Sequence, residues 1–348
     1  MAVVGHWNTL ADAQELVQSV LLKGVVQTVI ESGHLVPRLP VKQITGKDLL
    51  YNREDSWTAS SGAGFYDIRE QIPWSADVTY TPVTVGLKRI IRQDPIDKFV
   101  RETYSDPNDY QALMIQQLAK RVTRFLEHKL IYGDLTYNGS KEFDGLHALA
   151  EENTGDLDID EDEGALALSN IRLMLDAMKV DTEQEGRSNV ILLTPRPIVR
   201  RLSAAYQEAG FVRSNVTHAL GQITFGMTEI GSRVMFFDGI PIVPSDFLVG
   251  EDANTGVGSD ARTTSPAAGS EMYTIFGIRF GQTEDGGLAL LSGGAGNDIG
   301  EVFRHESFDK LEDYDSGGER LVSYLALTLG AGHSIGRIFD ITDAEVTP

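Results

Sequence analysis

Residues 106–133 read DPNDYQALMIQQLAKRVTRFLEHKLIYG, and this stretch carries the strongest helix signal in the chain. Asp106 suits the N-cap, and Pro107 suits the first helical position, where its missing N–H costs nothing. Gly133 is a typical helix end. Between them, one apolar stripe follows helical spacing: Ile115, Leu118, Ala119, Val122, Leu126 and Leu130. At 1.5 Å per residue the helix would be roughly 35–40 Å long, which predicts a spine.

The stretch before this helix, residues 48–91, has the pattern of a long two-sided β-ribbon with a loose tip. Small and polar residues such as Ser60-Ser61-Gly62 fill its middle. Apolar residues then alternate with threonines: Val78, Tyr80, Val83 and Val85. A lone two-stranded ribbon is marginally stable in water, because no sheet or helix covers its apolar side. The pattern therefore predicts that another copy of the protein stabilises the ribbon.

Helices and strands both occur over the rest of the chain, which predicts an α+β fold. Thr9 and Asp12 resemble a capping box, and the helix that they open ends near Ser32-Gly33. Residues 234–243 predict a tight hairpin, because Asp238-Gly239 suits the positive φ angles of its turn. The remaining patterns predict an amphipathic helix at 165–179, a buried strand at 189–193, a helix from Thr194 to Gly210, and strands at 273–280, 288–291, 301–308, 321–329 and 336–341.

The composition limits the chemistry and the partners open to the chain. Its 348 residues include no cysteine, which excludes disulfides, thiolate zinc sites and cysteine nucleophiles. The formal net charge of −21 repels nucleic acid at long range. Arg196, Arg200 and Arg201 form a small basic face, for which a salt-bridged subunit contact is favoured over nucleic-acid binding. No apolar run is long enough to span a membrane, and the N-terminus lacks the pattern of a secretion signal.

Motifs that resemble catalytic or ligand-binding sites each lack an essential part. Gly332-His333-Ser334-Ile335-Gly336 matches a nucleophile elbow, but no histidine follows it, so we interpret it as a bend between two strands. Asp156, Asp158 and Asp160 resemble the start of a calcium loop, but Glu161 stands where that loop needs glycine. The histidines form no recognisable metal-ligand pair. We therefore predict no catalytic, cofactor-binding or metal-binding residues, and a protein that is not an enzyme.

Several separated stretches resemble major capsid proteins of tailed bacteriophages, of the Hong Kong 97 type. They follow the family's order across nearly the whole chain: Lys23-Gly24-Val25-Val26, Leu39-Pro40, Tyr51-Asn52-Arg53-Glu54, Phe143-Asp144-Gly145-Leu146, Leu192-Leu193-Thr194 with Arg200-Arg201-Leu202, Phe237-Asp238-Gly239-Ile240-Pro241-Ile242, Phe276-Gly277-Ile278-Arg279-Phe280-Gly281 and Gly300-Glu301. Each string alone consists mostly of turn residues and core aliphatics. Their common order is what makes the resemblance specific.

The resemblance implies a Hong Kong 97-type capsid fold with four parts: an N-terminal helix and arm at 1–47, an extended β-hairpin loop at 48–91, a peripheral domain with the spine helix at 92–164 and 309–348, and an axial domain with a central sheet flanked by helices at 165–308. It implies a structural subunit that self-assembles as pentamers and hexamers into an icosahedral virion shell. The shell would form in the host cytoplasm and enclose double-stranded DNA without sequence-specific binding. Scaffold, portal and decoration proteins are possible further partners, and no membrane is involved.

By the same resemblance, the ribbon would lie over a neighbouring subunit. Its candidates for inter-subunit contact are Tyr51, Arg53, Trp57, Phe65, Tyr66, Trp74 and Tyr80. Two other functions stay open at this point. An encapsulin-like nanocompartment shell would have the same fold but house a cargo enzyme. An acidic soluble hydrolase or binding module would need a pocket with convergent acids or bases, which the sequence does not offer.

Overall fold

A computed structural model describes residues 33–57, 65–71, 78–103, 110–153, 155–180, 189–212, 223–227, 233–253, 269–293, 303–310 and 315–347. The predicted N-terminal helix and the predicted N-cap at Asp106 lie outside these residues. The described part mixes helices with strands, and strands dominate it. The predicted α+β class is therefore confirmed.

The described α-helices are α1 (Lys98–Thr103), α2 (Tyr110–Tyr132), α3 (Leu146–Glu151), α4 (Leu168–Ala177) and α5 (Arg196–Val212). The long predicted helix is α2, here called the spine helix, and its 23 residues span about 35 Å. It ends before Gly133, as predicted. A Cβ atom at Gly133 would lie 2.5 Å from the backbone oxygens of both Lys129 and Phe143, so glycine alone fits there.

One five-stranded sheet contains β1 (Val41–Ile44), β4 (Lys88–Asp97), β12 (Leu288–Gly293), β13 (Arg304–Phe308) and β14 (Ser316–Leu329). Its main path is β1-β12-β14-β13, and β4 also pairs with β14. β14 is long enough to pair with β4 and β13 in its first part and with β12 at its C-terminal end. Leu118 and Val122 of the spine helix pack against Leu321 of this sheet.

An eight-stranded sheet contains β5 (Asp158–Asp160), β6 (Ala165–Ala167), β7 (Val190–Pro195), β8 (Ile223–Met227), β9 (Arg233–Phe237), β10 (Ile240–Ser245), β11 (Met272–Arg279) and β15 (Ile335–Thr347). Its order is β5-β15-β11-β7-β10-β9-β8, with β6 also paired to β15. Helices α4 and α5 pack against it through residues such as Ile171, Met174, Ile198 and Leu202. Gly277 and Gly336 are directly paired under α4, where a Cβ at either position would press on Met174 or Met178.

The predicted ribbon is present as a separate antiparallel pair, β2 (Asp48–Trp57) with β3 (Val78–Gly86). It is shorter than the predicted range 48–91. Residues 88–91 belong to β4 instead, because their backbone groups pair with β14 in the larger sheet. Leu87 alone separates β3 from β4.

The predicted hairpin at 234–243 is confirmed, with φ angles of 46° at Asp238 and 83° at Gly239. Other elements differ from the predictions in their extent. Helix α4 begins after the predicted position 165 because Ala165–Ala167 pair with β15, and α5 continues past Gly210. The last strand occupies residues 335–347 instead of 336–341.

Each sheet combines strands from distant parts of the chain. β15, near the C-terminal end, pairs with β11 in the eight-stranded sheet. β12 and β13 pair with β14 in the five-stranded sheet. One core cluster links both sheets to the spine helix, through Leu126, Leu130, Phe276, Ile278 and Leu290 among others.

Candidate inter-subunit surface

The root of the ribbon has one covered face and one open face. Leu49 and Val85 are direct partners across the two strands, and both pack with Leu87 against the main core. The next residue, Leu50, is 66% exposed. Successive side chains of a strand point to opposite faces, so the alternation of Leu49 and Leu50 follows from strand geometry. The open face is thus available for contact close to the body of the subunit.

Two polar side chains fix the root of the ribbon to the body. The Tyr51 hydroxyl donates to the carbonyl oxygen of Leu329 at 2.5 Å, and Arg53 Nη2 donates to the same oxygen at 3.0 Å. Leu329 is the last residue of β14. Arg53 Nη1 also lies 3.9 Å from Glu152 Oε2. Burial raises the pKa of Glu152, and the positive charge of Arg53 partly opposes that rise.

Residues 65–71, here called the ribbon turn, form a locally hydrogen-bonded structure in the segment between β2 and β3. The Glu70 N–H donates to the Asp67 carbonyl at 3.1 Å, and the Glu70 carboxylate accepts from the Asp67 N–H at 2.8 Å. Phe65 and Ile68 are 109% and 91% exposed. Exposed apolar surface of this kind marks an interaction site when it is concentrated in one place.

The seven predicted contact residues fall into three groups. Tyr51 and Arg53, at the root, form hydrogen bonds within the subunit. Phe65, Tyr66 and Tyr80 are exposed. Trp57 is the last residue of β2, but its side chain, like the whole of Trp74, lies outside the described residues. The exposed group is the part of the prediction that remains available for contact with a neighbour.

Leu50 and Ile68 are further candidates that the sequence patterns did not identify. Strand alternation next to Leu49 provides a signal for Leu50, once the inward face of the ribbon is known. Ile68 stands between Asp67 and Arg69, and one apolar residue among charged ones has no periodicity to reveal it. Ile68 becomes a candidate contact because the backbone of residues 65–71 forms a turn in which its side chain is exposed.

The motif at 332–336 is a bend and not a nucleophile elbow. Residues 332–334 form a single 3-10 turn between β14 and β15, as the sequence interpretation predicted. Ser334 is fully buried, and its hydroxyl has no hydrogen-bond partner among the residues that the structure describes. A nucleophilic serine needs an adjacent base that accepts its proton. The described residues provide no such base for Ser334.

The acidic residues of the calcium-like run serve structural roles. Both carboxylate oxygens of Asp158 accept hydrogen bonds from Arg337, at 2.5 and 2.7 Å. Asp160 accepts a hydrogen bond from the N–H of Asp162 at 2.8 Å. Within the described ranges, no three His, Cys, Asp or Glu side chains are grouped so that they could hold a metal ion.

The basic face on α5 forms its salt bridges within the subunit. Arg196 pairs with Asp246, and Arg200 and Arg201 both pair with Asp343 near the end of β15. The side-chain hydrogen bond from Arg196 to Asp246 also raises the pKa of that guanidinium. These arginines thus join α5 to the eight-stranded sheet, and the subunit contact predicted for them is not needed to explain their charge. None of the helices in the described part is long and apolar enough to cross a membrane.

Comparison with known proteins gives matches at the level of structure. No family model and no curated protein matches the chain. The holo-SrpI encapsulin complex from Synechococcus elongatus matches with a TM-score of 0.61 and 13% identity over 97% of each chain. The capsid of a native GTA particle matches with a TM-score of 0.54 and 11% identity, over 92% of this chain and 96% of that one. The capsid of Cyanophage P-SCSP1u matches with a TM-score of 0.55 and 9% identity, over 94% and 93%.

These similarities cover nearly the whole of every chain compared, while the identities stay at 9–13%. The chain therefore has the mixed α+β fold of proteins that form phage capsids and encapsulin shells. This agrees with the resemblance found in the sequence.

Proposed function

We propose that this chain is the major capsid subunit of a tailed bacteriophage, with a Hong Kong 97-type fold. Subunits assemble as pentamers and hexamers into an icosahedral virion shell that encloses double-stranded DNA without sequence-specific binding. Assembly takes place in the host cytoplasm, with scaffold, portal and decoration proteins as possible partners. The protein is structural, and its function resides in contacts between copies.

The exposed ribbon turn is the observation that carries this proposal. Phe65 and Ile68, in the segment between β2 and β3, are almost fully open to solvent. Covering one such side chain stabilises a protein by about 1.5–3 kcal/mol, and a neighbouring copy would provide that cover. The turn and the surface that receives it are different patches of the chain, so the contact is heterologous and can close into a ring.

We assign the spine helix and the five-stranded sheet to the peripheral domain, and the eight-stranded sheet with α4 and α5 to the axial domain. On this assignment β12 and β13 belong to the peripheral domain, and β15 belongs to the axial domain. The ribbon is the extended loop, and residues 1–47 contain the arm. The net charge of −21 supports the role of a container wall, because an acidic wall does not adhere to packed DNA.

Expression of the full chain alone tests the proposal, with negative-stain electron microscopy and mass photometry as the readouts. We expect closed shells, or discrete pentamers and hexamers in equilibrium with them. A clean monomer at every concentration, with the ribbon resistant to protease, would contradict the proposal. Resistance would mean that the ribbon is already covered within one subunit.

An encapsulin-like nanocompartment is the second candidate, because the encapsulin match has the TM-score of 0.61 against 0.54 and 0.55 for the two capsids. The contents of shells purified from the native source separate the two functions. Genome-length DNA inside the shell favours the phage capsid. A packaged enzyme with a docking tail favours the nanocompartment.

A further inference from the structure

We propose that one basic surface of the subunit binds the phosphate backbone of the enclosed DNA. This surface, here called the basic flank, consists of Arg92 on β4 and of Lys120, Arg121 and Arg124 on the spine helix. The inference rests on the proposed function, because that function places double-stranded DNA against one surface of every subunit. The basic flank identifies which surface that is.

The spine helix has an unusual charge pattern for this chain. Residues 110–126 contain three basic residues and no acidic residue, although the net charge of the chain is −21. Lys120 and Arg124 are four residues apart, and Arg121 and Arg124 are three apart, so they are neighbours on the helix surface. Like charges at these spacings destabilise a helix. The acidic residue that follows, Glu127, is buried and accepts two backbone hydrogen bonds. An external anion would therefore relieve the repulsion along this row.

Asp94 adds a fourth basic side chain to the row. Arg92 donates to Asp94 Oδ1 through Nε at 3.1 Å, and Arg121 Nη1 lies 3.4 Å from Asp94 Oδ2. The carboxylate is buried, whereas the arginine side chains are 53% and 54% exposed. One carboxylate thus holds two guanidinium groups side by side at the surface. A guanidinium has five N–H donors, so each arginine keeps donors for an outside oxyanion.

The dimensions of the basic flank suit a DNA strand. Lys120 and Arg124 are separated by about 6 Å along the helix axis, and one DNA strand presents a phosphate about every 3.4 Å of its axis. The row therefore covers about two phosphates of one strand, and Arg92 broadens it beside Arg121. Planar guanidinium groups match the paired oxygens of a phosphate. Phosphate contacts carry no direct sequence information, in keeping with the proposed enclosure of DNA without sequence-specific binding.

The charge of the whole chain limits where DNA can touch it. The acidic remainder repels DNA at long range, so contact is confined to the basic flank and is sensitive to salt. An acidic surface of a neighbouring copy is the alternative occupant. DNA is favoured because it offers every subunit the same closely and regularly spaced negative charges.

Fluorescence anisotropy of a short labelled DNA duplex, titrated with the full-length subunit from about 50 to 200 mM salt, tests the proposal. The flank variant combines Lys120→Gln, Arg121→Gln and Arg124→Gln. Each phosphate contact contributes about −0.9 to the slope of log K against log salt concentration. We expect the slope of the flank variant to be shallower by about 2.7, for three lost contacts. Two duplexes of unrelated sequence should bind the parent equally.

The matched control combines Lys47→Gln, Lys141→Gln and Lys310→Gln, which are three exposed and separate positions. It has the same net charge as the flank variant and should keep the parent slope. Circular dichroism checks that both variants are folded. Absence of parental binding at the lowest salt, or equal slope changes in both variants, would overturn the proposal.

Shell formation is scored separately by electron microscopy, so the two proposals can fail separately. Loss of shells by the flank variant with an unchanged DNA slope would assign the basic flank to an acidic surface of a neighbouring copy, and would overturn DNA binding while the proposed function stands. A parent chain that binds DNA through the flank but forms no shells would contradict the proposed function alone.

Photo-cross-linking gives a second, independent test, because the chain contains no cysteine. Lys120→Cys is labelled with a photoactivatable aryl azide and irradiated with the duplex. We expect a DNA-linked subunit in a denaturing gel, whereas Lys141→Cys treated in the same way should give none. Equal cross-linking of the two variants, or none from Lys120→Cys, would overturn the assignment of the basic flank.

Discussion

The imidazole Nε2 of His147 lies 3.0 Å from Oε1 of Glu251, and both side chains are buried although 104 residues separate them. The Tyr132 hydroxyl donates to the same Oε1 at 2.8 Å, and the Thr274 hydroxyl donates to Oε2 at 2.9 Å. One carboxylate therefore joins the end of the spine helix, α3 and β11. Buried polar groups of this kind are stabilising only when each has its partner. The cluster acts as a polar joint between the spine helix and the eight-stranded sheet.

Replacing Glu251 with alanine should strongly destabilise the subunit. The change leaves the hydroxyls of Tyr132 and Thr274 and the ring of His147 without their shared acceptor. We expect the free energy of unfolding to fall by about 3 kcal/mol, as when one partner of a buried pair is removed. Chemical denaturation of the unassembled subunit measures this. Glu151→Ala, an exposed change at the end of α3, should alter it little, and an equal loss in both variants would contradict the proposed joint.

Arg337 and Asp158 form a second buried connection, between the directly paired strands β15 and β5. Arg337→Ala should lower the free energy of unfolding by about 3–5 kcal/mol, because it leaves the Asp158 carboxylate without its partner. Arg337→Lys should lose less, since lysine keeps the charge but not the two-pronged geometry. The exposed pair Arg172 and Asp238 provides the control. There Arg172→Ala should cost about 1 kcal/mol or less.

Equal losses for the alanine variants of Arg337 and Arg172 would contradict this prediction. Such a result would mean that the buried pair contributes no more to the free energy of unfolding than a solvent-exposed pair does. Denaturant titrations of all three variants at one pH and salt concentration provide the comparison.

The buried carboxyl group of Glu127 should make the stability of the folded subunit depend on pH. Its carboxylate on the spine helix accepts the N–H of Val36 at 3.0 Å and that of Leu35 at 3.3 Å. Burial raises its pKa above the ordinary value of 4.5, although these hydrogen bonds and the charge of Arg38 oppose the rise. The folded subunit thus binds this proton more tightly than the unfolded chain does. The resulting stabilisation is full below pH 4.5 and is lost as the pH rises through the folded-state pKa.

Glu127→Gln removes this ionisation while keeping an oxygen acceptor for the two N–H groups. Relative to the variant, the wild-type subunit should therefore lose stability as the pH rises from below 4.5 to neutrality. Urea denaturation of both proteins over that interval gives the difference directly. A difference that stays constant with pH would show that the carboxyl does not titrate differently in the folded state.

Local sequence patterns were sufficient to predict those elements whose structure depends mainly on their own residues. The spine helix needs its apolar stripe and a glycine at position 133, where backbone oxygens leave no room for a Cβ. The hairpin at Asp238-Gly239 needs two positive φ angles, which these residues tolerate. The C-terminal end of the spine helix and the turn of the hairpin were therefore predicted where they are observed.

Contacts between distant segments were not predictable in the same way. Nothing around Arg337 indicates that its strand lies beside Asp158, and the pairing of β15 with β11 moves the chain end into the eight-stranded sheet. The joint at Glu251 depends on three elements that meet only in the folded subunit. The open cavity lined by Ile91 and Phe125 likewise requires β4 to lie against the spine helix. A single sequence contains no periodic signal for such pairs.

The turn and the root of the ribbon should respond differently to the same substitution. Ile68 is 91% exposed in the ribbon turn, whereas Leu49 packs against the main core at the ribbon root. Ile68→Ser should therefore leave the free energy of unfolding within about 0.5 kcal/mol of the parent and still reduce the yield of shells. Leu49→Ser should destabilise the isolated subunit before any assembly. Thermal melting of the subunit together with shell counts by electron microscopy separates the two effects. If Ile68→Ser assembled as well as the parent, the exposed turn would not be the contact that holds neighbouring subunits together.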